Sequence, residues 1–441
     1  MTVTAPIRSP FITSAPGKVI IFGEHSVVYK KPAIAASTSS LRTYLLVRNS
    51  NAVDGTTGSH FVELNFPDID FKHRWTRDQL APIKPQHIVS TDSEGNPVTV
   101  TETLSEEHVT TIKPLLDNIS DPIQYHAAFC FLYLLTNIVT DLSTQLTTNN
   151  SGNGGSSSII FTLRSTLPVG AGLGSSAAIS VCLAHALLNL NSPTQRVHDK
   201  RLINQWAFVG ELCIHGNPSG IDNAIATYGG LIQFKKSEPL NFLGRKEGTP
   251  RVDIMITNTH IPKSTKELVA GVKRWSEQYP EIISPVLEAM GNVALRGAKA
   301  LQEGDVRALL RLVKINHGLL VSLGVSHPGL ERVKALGDEL GIGETKITGA
   351  GGGGCMLTVI RDTGDGLENV AAFKRRLHAL DYETYETVLG GSGCCFCSLE
   401  DIDQVQLTEI FELFDRKDSV KRHEIDKLLR PDSDTGLSWI H

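Results

Sequence analysis

The sequence predicts a mixed α+β chain of two domains. Three observations carry this. Strand-like and helix-like patterns interleave through the first half, whereas long helical patterns take over from about residue 262. Two glycine-rich turns, within Leu167–Val181 ("LPVGAGLGSSAAISV") and at 349–354 ("GAGGGG"), each follow a strand. And 441 residues, 41 % hydrophobic and 20 % charged, exceed what one ordinary core needs. The boundary is expected between 235 and 262, and a division at 245/246 gives domains 1–245 and 246–441.

The elements follow in order. Residues 12–22 ("ITSAPGKVIIF") read as a strand interrupted at Pro16-Gly17 and ending in the turn Gly23-Glu24-His25. Residues 41–48 alternate weakly and suit a second strand. Residues 50–120 are polar, with several Gly and Pro, and predict loops and short elements. A helix is expected over 122–140. It contains the most apolar run, Ala127–Leu135, well short of the ~20 residues that span a bilayer, and so reads as a buried helix. Residues 147–158 ("TTNNSGNGGSSS") read by composition as a flexible polar loop with no assigned role. A strand covers 159–165, and a helical pattern starts at Ser175. Residues 196–214 form an amphipathic helix, with Leu202, Ile203, Trp206, Val209 and Cys213 at helical spacing. Another helix starts near Ile221, and 231–256 holds strands. Helices then cover 263–278, 282–302, 304–323 and 328–340. Strands flank the second glycine run near 345–360. A helix at 366–379, strands near 383–398 and a charged helical tail complete the chain.

The formal net charge of −5 leaves no basic footprint for nucleic acid, so an anionic substrate needs local cations. Cys394 and Cys397 form a C-x-x-C, but no second pair follows at zinc-finger spacing, and the segment reads as a buried strand. Reduced thiols fit a cytosolic compartment. The first residues carry no basic-then-apolar signal pattern, so a cytoplasmic protein with no membrane partner is expected.

Four segments carry candidate chemistry. The first glycine run sits between a strand and a helix, where unpaired amides and the helix dipole favour an anion. Ser175 and Ser176 there can cap the helix or ligate a metal, and the plain alternative is a tight turn with a serine cap. The second run contains G-x-G-x-x-G from Gly349 to Gly354. Its strand–loop–strand context does not fit a dinucleotide fingerprint, which leaves a close backbone approach to a ligand or to the other domain. In "GELCIHGNPSGIDNA" (Gly210–Ala224), Asp222 opens a helix; the alternative is that Ser219 and Asp222 form a capping box. In "APGKVIIFGEH", Lys18 begins an otherwise apolar strand and Glu24-His25 occupy the turn after it. Together these supply what phosphoryl transfer requires: a phosphate cradle, oxygens for magnesium (Ser176, Glu211), a cation (Lys18) and an acceptor contact (Asp222).

"APGKVIIFGEH", "LPVGAGLGSSAAISV" and "TGAGGGGC" resemble, in order, the three motifs of the GHMP kinases, a family of small-molecule kinases. "HGNPSGIDNA", "TNTHIPKSTKELVAGV" and "NHGLLVSLGVSHPGLE" narrow the resemblance to the members that phosphorylate mevalonate, and "YETVLGGSGCC" with the tail resembles the fungal type. The resemblance implies a two-domain GHMP kinase fold. Its N-terminal domain is like ribosomal protein S5 domain 2, its C-terminal domain is ferredoxin-like, and the active site lies between them. It implies transfer of the ATP γ-phosphoryl group to the 5-hydroxyl of (R)-mevalonate, with Mg2+. Carried over residue by residue, Gly170, Ala171, Gly172, Leu173, Gly174, Ser175 and Ser176 would wrap the ATP phosphates, with Ser165 and Lys18 also contacting ATP. Ser176 and Glu211 would hold the metal. Asp222 would be the base beside Lys18, and Glu24 and His25 would lie at the mevalonate pocket. A homodimer and feedback inhibition by prenyl diphosphates are implied by the resemblance alone.

A carboxylate beside Lys18 and a helix N-terminus should be acidified, which makes Asp222 a weak base for an alcohol: either Lys18 and magnesium acidify the hydroxyl, or Asp222 accepts the proton late and mainly orients the oxygen. In the tail, "FELFDRKDSVKRHEID" superficially resembles a calcium loop, but Val420 and Lys417 stand where a turn glycine and an oxygen ligand must be. Another acceptor for the same family, or a non-catalytic sensor on the same fold, are the competing readings.

Overall fold

The computed structural model describes residues 10–441 except 51, 53, 56–57, 87–88, 92–96, 100–102, 140–157, 169, 192–197, 237, 245–250, 362–365 and 419. The expected boundary at 245/246 and the polar loop up to residue 157 lie outside the described residues.

The described strands are β1 (Phe11–Phe22), β2 (Ala33–Ser50), β3 (Phe61–Phe66), β4 (Phe71–Thr76), β5 (Val89–Thr91), β6 (Pro97–Thr99), β7 (Ser158–Ser165), β8 (Leu231–Phe234), β9 (Asn241–Phe242), β10 (Asp253–Asn258), β11 (Gly343–Ile347), β12 (Cys355–Ile360), β13 (Glu383–Val388) and β14 (Cys395–Ser398). They build two main sheets. The first runs β14-β1-β2-β7-β3-β4, with β8 also on β2 and β9 on β8; the second runs β11-β12-β10-β13. The strands expected within 231–256 therefore divide between the two sheets.

β2 is far longer than the 41–48 read from the sequence. Its first half, "AIAASTSS", has neither bulk nor alternation, yet it is buried throughout. Small side chains are what its position allows, because here β2 reaches the second sheet: Ser40 N donates to Thr387 Oγ1 at 3.2 Å, and Ser39 Oγ lies 3.4 Å from the same oxygen. β3 and β4, hidden in the polar excursion 50–120, are full members of the first sheet. Glu63 on β3 is buried and paired with Arg74 and Lys72 of β4, so charged side chains occupy positions that alternation would reserve for apolar ones.

Helix Ser175–Asn191 packs on β1 and β2, Pro122–Ile138 reaches the same sheet through Phe131 on Trp75 and Phe161, and Lys200–His215 packs on both helices, all within one continuous core. The first of these is buried over its second half, as its composition implies. No helix among the described residues is long and apolar enough to cross a membrane. Against the second sheet lie helices Val306–Ser322, Pro328–Leu340 and Gly366–His378, while Pro280–Glu303 packs on Val306–Ser322, Thr265–Gln278 and the first sheet's β1 and β2; the smaller core here includes Met255, Leu330, Met356 and Phe373.

The chain then returns. β14 pairs antiparallel with β1 (Phe11 opposite Ser398), covering an edge that would otherwise be open. Helices Gln404–Asp415 and Arg422–Leu429 pack on Ile12, Tyr44 and Leu46. Residues 395–429, counted with 246–441 in the expected division, thus join the first sheet. Cys394, Cys395 and Cys397 are buried free thiols, and burial pushes Cys394 and Cys397 up to about 12. In the segment resembling a calcium loop, Arg416 takes Asp418 and Glu424, and no cluster of three or more His, Cys, Asp or Glu that could hold a metal occurs among the described residues.

Candidate active site

The site is assembled on the interruption in β1. Register between β1 and β2 shifts between Pro16 and Lys18, a bulge where proline has no N–H to give the ladder. The loop after β7 lies directly on this bulge: Lys18 N donates to Leu173 O at 2.8 Å. Gly17 permits the approach, since a Cβ there would fall 2.8 Å from Leu173 O and 2.3 Å from Leu167 Cδ2. In the loop itself Gly170, Gly172 and Gly174 have φ of 72°, 82° and 75°. Alternate residues in the left-handed region make an amide-lined concavity of the kind that receives phosphate, and the helix Ser175–Asn191 begins at its end. Ala171 and Leu173 turn their side chains into the core, leaving only backbone to a ligand.

Asp222 lies in the first turn of the helix Ile221–Tyr228. That helix is preceded by Gly220 in the left-handed region and has no side-chain cap. Ser219 Oγ accepts from Ile221 N at 3.4 Å, so the capping box that the sequence allows is not formed. The carboxylate faces Lys18 instead, Oδ1 standing 3.2 Å from Nζ.

Glu211, on helix Lys200–His215, is 3 % exposed. Burial pushes its carboxyl up to about 8, Asp222 adds to the rise, and Ser176, Lys18 and Ser180 offset part of it. Its Oε1 has no hydrogen-bond partner among the described residues. A buried carboxylate oxygen left open beside a serine hydroxyl fits a hard divalent cation, which takes few protein oxygens and keeps its waters. Ser176 Oγ lies 3.0 Å from His215 Nε2, and that ring is 4.0 Å from Glu211. His215 is a site residue that sequence reasoning passed over; its i, i+4 spacing from Glu211 was the available signal.

Glu24 and His25 line the same cavity. His25 has φ 59° and its Nε2–H donates to Ala350 O at 2.8 Å; burial lowers its basicity. The second glycine run thus meets the turn after β1, and its Gly349 and Ala350 line the same cavity. It also makes room for Lys263, unnoticed in the sequence. A Cβ at Gly172 would lie 3.1 Å from Lys263 Nζ, and one at Gly354 would lie 2.7 Å from it, so this ammonium stands between the two glycine runs. Burial lowers its affinity for its proton, and Lys18 lowers it further.

All these groups line one cavity of about 770 Å3. Lys18, Ser165, Gly170, Gly172, Gly174, Ser175, Ser176, Glu211 and Asp222, predicted from the sequence, reach it together with Glu24 and His25. Ser165 is held in place by Asp68, whose Oδ2 accepts from Ser165 N at 2.8 Å. The cavity is polar around Lys18, His25, Asp222 and Lys263 and apolar where Phe66, Ile69 and Ile123 contribute. It therefore joins apolar lining that an aromatic base could use with charged lining for an anionic group.

Residues 137–230 match the model of the GHMP kinases N terminal domain, and residues 298–379 that of the GHMP kinases C terminal region. The chain is 44 % identical to the mevalonate kinase of Saccharomyces cerevisiae over 98 % of its own length and 99 % of that protein. It is 41 % identical to the mevalonate kinase of Candida albicans over 89 % and 91 % respectively. Among solved structures, that of L. major mevalonate kinase in complex with R-mevalonate shares the fold, with a TM-score of 0.60 and 21 % identity over 89 % of this chain and all of that one. The motif order, the shared architecture and this identity over the whole length leave one assignment: the chain belongs to the GHMP kinases and, within them, to the mevalonate kinase family.

Proposed function

We propose that the protein transfers the γ-phosphoryl group of ATP to the 5-hydroxyl of (R)-mevalonate, giving 5-phosphomevalonate and ADP for isoprenoid and sterol synthesis. The observation that carries this reading is the Lys18–Asp222 pair set at the mouth of the amide-lined loop within one cavity. The loop from Gly170 to Ser176 holds the phosphates, and Ser165 with the apolar lining holds the nucleoside. Asp222 accepts a hydrogen bond from the acceptor hydroxyl and orients its oxygen toward phosphorus. It takes the proton as the new bond forms. Lys18, bonded to Asp222, faces the transferring group, and Lys263, between the two glycine runs, adds a second cation. A small acid suits a cavity lined by His25 and these two ammonium groups better than an uncharged sugar does.

Ser176 and the open oxygen of Glu211 would hold Mg2+, which when bound neutralises charge on the phosphates. The resemblance to the family supports a homodimer, competition of prenyl diphosphates with ATP, and a cytoplasmic setting. The division into domains 1–245 and 246–441 is proposed with residues 395–429 as a return of the chain onto the first.

The test is to incubate the enzyme with MgATP and, separately, mevalonate, phosphomevalonate, galactose or homoserine while following ADP release. Release with mevalonate supports the reading; release with galactose alone overturns it; no release with any acceptor points to a sensor.

A further inference from the structure

The turn that brings Glu24 and His25 to the cavity is held by groups from across the molecule. Glu24, at the end of β1, is 2 % exposed and both its oxygens are engaged. Lys346 Nζ pairs with Oε1, and Asn316 Nδ2 donates to Oε2 at 3.1 Å. Lys346 and Asn316 are fully buried and neither lines the cavity. Both come from across the molecule, Lys346 from β11 of the second sheet and Asn316 from helix Val306–Ser322.

Two further bonds run alongside. Thr348 Oγ1 donates to Ile20 O at 2.9 Å, and His25 Nε2–H donates to Ala350 O. Lys346 lies next to the end of β11, and Thr348 and Ala350 follow in the turn that leaves it, where Gly349 has φ 82°. They meet Glu24, Ile20 and His25. This seam clamps a strained turn, because His25 is held with φ 59°, a conformation that a non-glycine residue keeps only when its surroundings impose it.

A buried ion pair is a poor device for stability alone, since well-packed apolar groups of the same volume usually do as well. It does fix a geometry. We propose that Lys346 and Asn316 are positioning residues that hold Glu24 and, through it, the 23–26 turn, so that His25 is presented to the acceptor. The second sheet thereby sets the acceptor end of a site whose phosphate cradle belongs to the first. This rests on the reading of the cavity as the site of phosphoryl transfer to mevalonate.

The experiment compares Asn316→Leu, Lys346→Met, Glu24→Gln and the double variant Lys346→Met/Glu24→Gln in the full chain with MgATP and (R)-mevalonate. Asn316→Leu should raise KM for mevalonate about tenfold while KM for ATP stays within about twofold. Lys346→Met should do the same more strongly, and the double variant should be no worse than Lys346→Met, because the two groups act as one unit. Equal changes in both KM values, additive losses in the double variant, or a loss of kcat that only tracks the folded fraction in a melting curve would overturn the proposal. Should Lys346→Met fail to fold, the KM split in Asn316→Leu decides. Wild-type enzyme that releases no ADP with mevalonate overturns the functional reading itself, a result separate from any of these.

Discussion

Lys18 Nζ stands 3.2 Å from Asp222 Oδ1, tying the bulge in β1 to the first turn of a helix that begins two elements beyond the glycine loop. The Lys18 side chain is 10 % exposed and that of Asp222 33 %, so the carboxylate keeps an open side toward the cavity. Asp222→Asn preserves shape and removes the proton acceptor. Turnover should fall roughly 10²–10⁴-fold with the melting temperature little changed. A variant that unfolds while its remaining folded fraction turns over normally would return Asp222 to a structural role.

Gly174 has φ 75°, and a Cβ there would lie 2.9 Å from Lys18 Cγ. Gly174→Ala should therefore cost about 1–3 kcal/mol of stability in backbone strain and also displace Lys18, lowering kcat and raising KM for ATP. Gly341→Ala is the control. Its φ is 63° with open space around it, at the end of the helix Pro328–Leu340. Its melting temperature should fall comparably while turnover per folded molecule stays at the wild-type level.

Lys263 stands between the glycine runs with its proton affinity lowered by burial and by Lys18. An ammonium so placed in the cavity is a group that an anionic ligand would meet. Lys263→Met should reduce kcat/KM about 10²-fold, the loss of one charged donor to the transition state, while the melting temperature of the ligand-free protein holds or rises. A drop in both would make Lys263 a structural residue.

Much of this site was legible because its chemistry sits in short contiguous runs. Gly170 to Ser176 betray a turn by composition alone, and Lys18 stands out in an apolar strand. Lys263 and His215 were not legible. Each is a common residue near a helix end, and what makes it unusual is the spatial approach of glycine runs or of Ser176. The first half of β2 was missed because small residues carry no period, although packing against β13 requires them. The Ser219–Asp222 spacing fits a capping box, and only the three-dimensional position of Lys18 decides where the carboxylate turns. The pairing of β14 with β1 joins the two ends of the chain and leaves no local mark, beyond an apolar "CCFCS" whose strand character was clear and whose partner was not.

His185, on the helix Ser175–Asn191, lies away from the catalytic groups and makes stability depend on pH. It is 2 % exposed, its Nε2 is 3.2 Å from His198 Nδ1, and burial depresses it to about 3, with His198 and Lys200 adding to the effect. In the unfolded chain an imidazole takes its proton near pH 6.5. Above that value neither state is charged and the residue has no pH effect. As pH falls from about 6.5 toward 3, the unfolded state binds a proton that the folded state refuses, so stability is lost on acidification by up to roughly 1.4 kcal/mol per pH unit. His185→Gln removes the titrating group. Between pH 7 and pH 5 the wild-type melting temperature should therefore fall further than that of the variant, by the equivalent of about 2 kcal/mol. Parallel pH profiles for the two proteins would show that His185 is protonated in the folded state, and that the His185–His198 contact carries the charge.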